Sequence, residues 1–193
     1  MTKLYTNYNG TIEINHRNLQ DIDPGEIRNI IGIVPQKVHL FNGTIKDNII
    51  CGRLNADEQE IIEAARKADI HDFIQGLTFT YEQKIGSHGI NLSAGQELKI
   101  AFARLFLRNP EIIILDEASS HLDVATENLI LNHIYADFSQ KTIISVAHRL
   151  HTLKKMDIII VLDKGTIVEQ GSHGELMKMN GFYTRFIRTY VDL

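Results

Sequence analysis

The sequence predicts an α/β fold organised around a mostly parallel sheet. The strongest indication is a run of four large apolar residues, Ile112 to Leu115, which suits a strand covered on both faces. A helical apolar pattern at residues 98–105 precedes this strand and stops at Asn109-Pro110. A second apolar run, Thr142 to Ala147, follows another helical stretch. Strands that alternate with helices in this way are typical of a parallel sheet.

Local signals predict further elements in the first half of the chain. Residues 1–5 have the pattern of a helix end and residues 11–14 that of a short strand. Asp23 and Pro24 predict the start of a short helix, and residues 29–34 the strand that follows it. Asn55 with Glu58 is the predicted cap of a helix whose apolar face comprises Ile61, Ala64, Ala65 and Ala68.

The second half is predicted from the same kinds of signal. Asp123 can cap a helix that runs to about Phe138. Residues 157–162 and 166–169 form a predicted hairpin, because a turn-forming Asp-Lys-Gly lies between two apolar stretches. Ser172 with Glu175 predicts a capping box at the start of one amphipathic helix that continues through residues 177–186.

Two adjacent carboxylates, Asp116 and Glu117, follow the apolar strand at residues 112–115. Parallel sheets bind their ligands at the carboxyl ends of the strands. Neighbouring residues on a strand point to opposite sides, so one carboxylate can face a hydrated Mg²⁺ while the other orients or deprotonates a water. An ordinary strand followed by an acidic turn is the alternative interpretation of these residues.

A possible anion site precedes the long helix at residues 98–105. Ser93 and Gln96 have the spacing of a capping box, which leaves backbone N–H groups pointing outward beside Gly95. The helix dipole and the small side chains at this end favour a phosphate close to the backbone. The alternative is a helix cap with no ligand.

Together these segments resemble the ATP-binding cassette (ABC) ATPases. LSAGQ at residues 92–96 is similar to the family's LSGGQ signature, and IIILDEASSHLD at residues 112–123 to its Walker B strand and D-loop. Gln36 in IGIVPQ resembles the Q-loop glutamine, His148 in SVAHRL resembles the switch histidine, and residues 161–171 resemble the hairpin that follows it. Residues 40–49 and 85–89 look most like the exporter branch of the family.

The resemblance implies a fold and a set of residue roles. The implied fold is a P-loop NTPase core in one nucleotide-binding domain, residues 1–193, with a helical lobe inserted at about residues 37–91. Glu117 would be the general base and His148 the switch, with Asp116 and Gln36 on the Mg²⁺ side. The remaining implied site residues are the phosphate clamp, Ser93, Ala94, Gly95 and Gln96, and the dimer contacts, Ser120, His121 and Asp123.

These roles imply an ATP-binding and ATP-hydrolysing part of an exporter, with ATP and Mg²⁺ as ligands. Its expected partners are a second nucleotide-binding domain and a transmembrane domain, at the cytoplasmic face of the membrane. Nucleic acid is not an expected partner, because the formal net charge is −4 and no dense basic run occurs. The apolar runs fall far short of the roughly 20 residues that a transmembrane helix needs.

The sequence also departs from the family pattern. No glycine is followed by lysine, so the P-loop motif GxxxxGK[ST] does not occur in these 193 residues, and the first strands of the core are expected to be missing with it. The chain alone is therefore expected to be inactive. Unusual residues at otherwise matching positions are Ser87, His88, Ala94, Glu97 and His121. The alternative function is a truncated, non-catalytic cassette that pairs with a complete one and regulates it.

Overall fold

A computed structural model describes residues 8–51, 53–118, 122–147 and 150–191. The chain divides into two compact units, Met1–Ser145 and Val146–Leu193. The helices found within the described ranges are all too short or too polar to cross a membrane.

The first unit carries most of the regular structure. Its elements, in chain order, are β1 (Glu13–Ile14), β2 (Arg17–Asn18), α1 (Pro24–Ile30), β3 (Ile31–Val34), β4 (Gly43–Thr44), α2 (Ile45–Ile50), α3 (Glu58–Lys67), α4 (His71–Gln75), β5 (Lys84–Ile85), α5 (Ala94–Arg108), β6 (Ile112–Asp116), α6 (Val124–Asp137) and β7 (Thr142–Val146). Only the last residue of β7 belongs to the second unit.

The central sheet has the strand order β3-β6-β7. β3 and β6 are parallel, with Ile31 opposite Ile112 and Val34 opposite Leu115. The predicted α/β fold with a parallel sheet is therefore confirmed. This pairing brings the ends of β3 and β6 to the same edge, because parallel strands in register finish together.

Both faces of β6 are covered, as its unbroken apolar sequence predicts. Ile113 and Leu115 are buried in the main hydrophobic core, to which α5 contributes a long row of side chains. On the other face, Ile112 and Ile114 pack against a smaller cluster that includes Ile27. Side chains of successive strand residues alternate between the two faces, so each face receives half of the apolar run.

Two predicted boundaries in the first half are wrong. Residues 29 and 30 belong to α1 and not to the strand, because the seven-residue helix that starts at Pro24 continues until the Ile31 N–H bonds to the Ile27 carbonyl. The short strand predicted at residues 11–14 is limited to its last two residues, which pair with β2. The helix end predicted at residues 1–5 lies outside the described residues.

Three helices, α2 to α4, lie between β3 and α5 in sequence. The predicted buried face of α3 is confirmed, but its cap is wrong. Asp57, not Asn55, accepts from the Glu60 N–H at 2.8 Å, and Glu60 accepts from the Asp57 N–H at 3.0 Å. Asp57 and Glu60 have the same three-residue spacing as Asn55 and Glu58, so spacing alone did not distinguish the two pairs.

The second unit contains α7 (Leu150–Leu153), the hairpin of β8 (Ile159–Asp163) and β9 (Thr166–Gly171), α8 (His173–Met179) and α9 (Phe182–Val191). The hairpin is antiparallel, as predicted. The predicted Ser172–Glu175 capping box also forms.

The prediction of one continuous C-terminal helix is wrong. Asn180 adopts the left-handed conformation, with φ of 50°, and ends α8. The carboxylate of Glu169 then accepts hydrogen bonds from the backbone N–H groups of Phe182 and Tyr183, at 2.5 and 2.9 Å. A carboxylate at these otherwise unpaired N–H groups stabilises the start of a new helix, α9.

Candidate functional site

The N-terminus of α5 has the predicted capping box. Ser93 Oγ accepts from the Gln96 N–H at 3.3 Å, and Gln96 Oε1 accepts from the Ser93 N–H at 2.9 Å. Ser93 and Ala94 are exposed, so the first turn of the helix is open to a ligand. The helix ends as predicted, at Asn109 in the left-handed conformation.

The loop before Ser93 is tightly packed. Gly86 has φ of 89°, a conformation that favours glycine. At Gly89, an added Cβ would lie 2.0 Å from the backbone oxygen of Lys84, and that oxygen cannot move without moving the chain. Gly89 also donates its N–H to the Gly86 carbonyl at 3.0 Å. These contacts fix the backbone that leads into the cap.

The second part of the candidate site is the edge where β3 and β6 end. Gln36 follows β3 and Glu117 follows β6, and the Gln36 Nε2 group donates to Glu117 Oε2 at 2.6 Å. This contact joins residues from distant parts of the sequence. We call Gln36, Asp116 and Glu117 the acid edge.

Glu117 has an unusual backbone conformation. Its φ is 48°, in the left-handed region that a non-glycine residue adopts at a cost of about 1–2 kcal/mol. Strain of this kind persists where the surrounding structure holds the residue in place, and it is concentrated at functional sites. The left-handed turn ends the strand at Asp116 and directs the Glu117 side chain to Gln36.

The acid edge offers oxygen atoms suited to Mg²⁺. Asp116 is the last residue of β6 and is exposed. Gln36 uses its amide nitrogen toward Glu117, so its amide oxygen is the atom that can face a metal. Magnesium in nucleotide sites binds through one or two protein oxygen ligands together with phosphates and water, and this donor set fits that pattern.

Asp123 begins α6, the helix that follows the acid edge along the chain. Its Oδ1 accepts from the Thr126 N–H at 3.0 Å, which confirms the predicted cap. That hydrogen bond holds the pKa of the Asp123 carboxyl below its usual value. Ser120, His121 and His148 lie outside the described residues, so their expected places stay predictions.

Sequence reasoning missed the contacts of a half-buried charged side chain on α5. The guanidinium of Arg104 contacts backbone and side-chain oxygens of residues 39 and 48. The available signal was a basic residue inside the apolar pattern of α5, between Ala103 and Leu105. Position in the pattern marked Arg104 as unusual but gave no indication of its partners.

The structure is that of an α/β protein with helices between the strands of a parallel sheet and with Gln36, Asp116 and Glu117 at the strand ends. The family model described as "ABC transporter" matches residues 1–120, so this chain belongs to the ABC transporter family. The family suggested by the signature, Walker B and Q-loop motifs is thereby confirmed.

Similar proteins are known in bacteria. The chain is 42% identical over 181 residues to proteins named as multidrug export ATP-binding/permease proteins in Staphylococcus aureus strains NCTC 8325 and COL, and 41% identical to one in strain RF122. Each match covers 94% of this chain and 31% of the relative, so the chain spans about a third of their length. A solved structure of a bacterial Atm1-family ABC exporter with ATP bound matches with a TM-score of 0.92 and 39% identity, over 98% of this chain and 33% of the other.

Proposed function

We propose that this chain is the ATP-binding and ATP-hydrolysing part of an ABC exporter, and that its acid edge and the cap of α5 serve two different ATP molecules. The hydrogen bond between Gln36 and Glu117 is the observation that supports this most. It brings a Q-loop residue and a candidate general base into contact at the carboxyl ends of two parallel strands.

At the acid edge, Glu117 orients and deprotonates the water that attacks the γ-phosphate. The Gln36 amide holds the Glu117 carboxylate in place. Asp116 and the amide oxygen of Gln36 would hold Mg²⁺. When bound, Mg²⁺ neutralises charge on the phosphate oxygens. His148, by its place in the family's switch motif, hydrogen-bonds the γ-phosphate.

The cap of α5 acts on the partner's ATP. Ser93, Ala94, Gly95 and Gln96 form a clamp that closes on a nucleotide held by a second nucleotide-binding domain. Ser93 is exposed, and the N–H groups in the first turn of α5 have no partner in the helix backbone, which makes a helix start of this kind suited to phosphate. Ser120, His121 and Asp123 lie at the contact between the two domains.

Residues 37–91 form the lobe that contacts a transmembrane domain, so the protein works at the cytoplasmic face of a membrane. Support comes from three helices in this range and from the names of the relatives, which describe export and permease functions. ATP hydrolysis in the paired domains then resets them and drives transport through the membrane partner.

The 193-residue chain alone should bind Mg-ATP weakly and should not hydrolyse it. A P-loop supplies backbone N–H groups around the β-phosphate, a lysine for the β- and γ-phosphates and a hydroxyl for Mg²⁺. This sequence contains no GxxxxGK[ST] motif that could provide these groups. Calorimetric titration of the purified chain tests this, and a low-micromolar dissociation constant would contradict it.

A complementation experiment tests the division between the two parts of the site. The chain is mixed with a complete ABC cassette in which the signature serine is disabled, and ATP hydrolysis is measured. We expect the chain to restore activity through its own clamp. Ser93→Arg should abolish the restored activity through bulk and loss of the cap, whereas Glu117→Gln should leave it largely unchanged, because the partner's base serves that ATP.

Ser172→Arg is the matched control for Ser93→Arg. Ser172 has the same capping box as Ser93, but it belongs to the second unit and to no signature motif. The control should retain the restored activity. If Glu117→Gln is as damaging as Ser93→Arg, the assignment of the two parts to different nucleotides is wrong.

A regulatory, non-catalytic cassette is the second candidate. Glu97 favours it, because an acidic side chain in the first turn of α5 repels an incoming γ-phosphate. A chimera that joins the P-loop segment of a relative to this chain separates the two functions. ATP hydrolysis that depends on Glu117 supports the catalytic function, and a chimera that binds ATP without hydrolysis supports the regulatory one.

A further inference from the structure

Arg104 joins α5 to a segment far away in sequence. Its Nε donates to the Asn48 carbonyl at 2.5 Å, its Nη1 to the His39 carbonyl at 3.1 Å and its Nη2 to Asn48 Oδ1 at 2.8 Å. The guanidinium also lies 5.8 Å from the centre of the Phe41 ring. Three donors pointing in different directions are used at once, which only the planar fork of arginine provides.

Asn48 is the centre of this group. Its side chain is fully buried in α2. Its Nδ2 donates to the Phe41 and Thr44 carbonyls, each at 3.0 Å, and its Oδ1 accepts from the Phe41 N–H at 3.1 Å as well as from Arg104. Both amide hydrogens and both oxygen lone pairs of Asn48 are therefore in use. We call residues 39–44 the held segment.

Partial burial makes the charge on Arg104 less favourable than it would be in water. Burial lowers the pKa of its guanidinium. Among the described residues, the groups hydrogen-bonded to it are neutral oxygens, and none of the ion pairs involves it. A half-buried cation without a carboxylate contributes geometry to the structure rather than a strong ion pair.

The held segment has a second attachment, close to the clamp. Asn42 Oδ1 accepts from the Ser87 N–H at 3.0 Å, and β4 pairs with β5 so that Gly43 lies opposite Ile85. Gly86 packs directly against the Asn42 side chain, where an added Cβ would lie 2.0 Å from Oδ1. The loop held by Asn42 leads directly into Ser93.

We propose that Arg104 is a positioning residue for the clamp: with Asn48 it fixes the held segment to α5, and Asn42 of that segment fixes the loop that ends at Ser93. The first attachment lies about three turns along α5, roughly 16 Å from the cap. The held segment and the clamp therefore behave as one body. This inference rests on the proposed function of Ser93 for its catalytic consequence, but the mechanical part stands on the contacts alone.

Hydrogen exchange followed by mass spectrometry tests the mechanical part in the 193-residue chain. Arg104→Lys should speed exchange about fivefold, the effect expected from losing a net hydrogen bond, in residues 39–48 and also in residues 86–92. Asn42→Ala should speed exchange only in residues 86–92. Asn42 is exposed, so this variant should fold even if Arg104→Lys does not.

Arg108→Lys is the matched control. Arg108 is half-buried on the same helix, one turn after Arg104, and lines the same cavity of about 330 Å³, but its substitution removes none of the contacts to residues 39–48. It should leave exchange in both segments unchanged. If Arg104→Lys affects residues 39–48 alone, or matches Arg108→Lys, the link to the clamp is absent and the proposal is wrong.

The complementation assay tests the catalytic consequence. Arg104→Lys and Asn42→Ala should each raise the ATP concentration needed for half-maximal restored activity about tenfold, because a displaced clamp binds phosphate poorly. Melting temperatures close to that of the unchanged chain would separate this effect from unfolding. Unchanged ATP dependence in both variants would overturn the positioning role. Failure of the unchanged chain to restore activity would refute the proposed function and with it this consequence, while hydrogen exchange still decides the mechanical part.

Discussion

The clamp and the acid edge differ in how far along the chain their contacts reach. Ser93 and Gln96 form the clamp's capping box within one helical turn. Gln36 and Glu117 meet only because β3 and β6 lie side by side, and Glu117 adopts a strained left-handed conformation where they meet. A local hydrogen bond forms whenever its helix forms, whereas a contact between strand ends depends on the packing of the whole sheet.

This difference predicts which substitutions damage each part. The stability of the acid edge should be sensitive to changes in the core beneath it and tolerant of changes in its own side chains, although those side chains are needed for hydrolysis. The clamp should respond to its own cap and to the loop that leads into it.

The largest expected effect is Leu115→Ala, beneath the acid edge. Leu115 is 3% exposed and belongs to the main core, so its truncation should cost about 2–5 kcal/mol of unfolding free energy. Ile114→Ala, on the less buried face of the same strand, should cost less than half as much. Urea denaturation measures both, and equal losses would show that the two faces support β6 equally.

Gly89→Ala should be the most damaging single change near the clamp. The new Cβ would meet the Lys84 backbone within 2.0 Å, so the loop must shift, at a cost of about 1–3 kcal/mol. Gly174→Ala is the control, because nothing lies within 4 Å of a Cβ at that position. Urea midpoints should fall clearly for the first variant only. Similar midpoints for the two variants would show that the loop is free to adjust.

Ser93→Ala should cost about 1 kcal/mol, the usual contribution of a helix cap. Ser172→Ala should cost the same, since α8 begins with the same kind of capping box. The two variants should differ in the complementation assay and not in stability. A much larger loss of stability for Ser93→Ala would indicate that the clamp depends on contacts beyond its own turn.

Glu117→Gly should leave stability unchanged or raise it by up to about 1 kcal/mol. Glycine removes the cost of the left-handed conformation, which offsets its greater freedom in the unfolded chain. Glu111→Gly, before the same strand, removes no such strain and should lower stability by about 0.5–1 kcal/mol. If Glu117→Gly is the more destabilising of the two, the conformation of Glu117 is not a source of strain.

The smallest effect concerns pH and the cap of α6. The pKa of Asp123 is lowered in the folded chain by the Thr126 N–H, so the unfolded chain binds its proton more readily. Its contribution to stability is present above the ordinary Asp pKa of about 4 and is lost as pH falls below it. Asp123→Asn keeps a cap but cannot titrate. When the pH is lowered from about 5 to about 3, its urea midpoint should therefore fall less than that of the unchanged chain. The effect of Ser93→Ala should not change over that range, because serine does not titrate.

Much of the fold was predictable because it is encoded over short distances. The cap at Ser93, the helix from Asp123 to about Phe138 and the hairpin of β8 and β9 follow from spacing and turn residues. The errors arose where two signals competed. Asp57 and Asn55 are each followed three residues later by a glutamate that can complete a capping box. The helix α1 continues past residue 29, where the strand was predicted to start.

Sequence alone determined the family, the order of the elements and the cap of the clamp, because motifs and helix caps depend on residues a few positions apart. Tertiary structure decided the contact between Gln36 and Glu117, the break between α8 and α9 and the contacts of Arg104 with Asn48. Each of these joins residues from separate elements. Hydrogen-bond partners of that kind are chosen by packing, which brings the two groups within about 3 Å only after the core has formed.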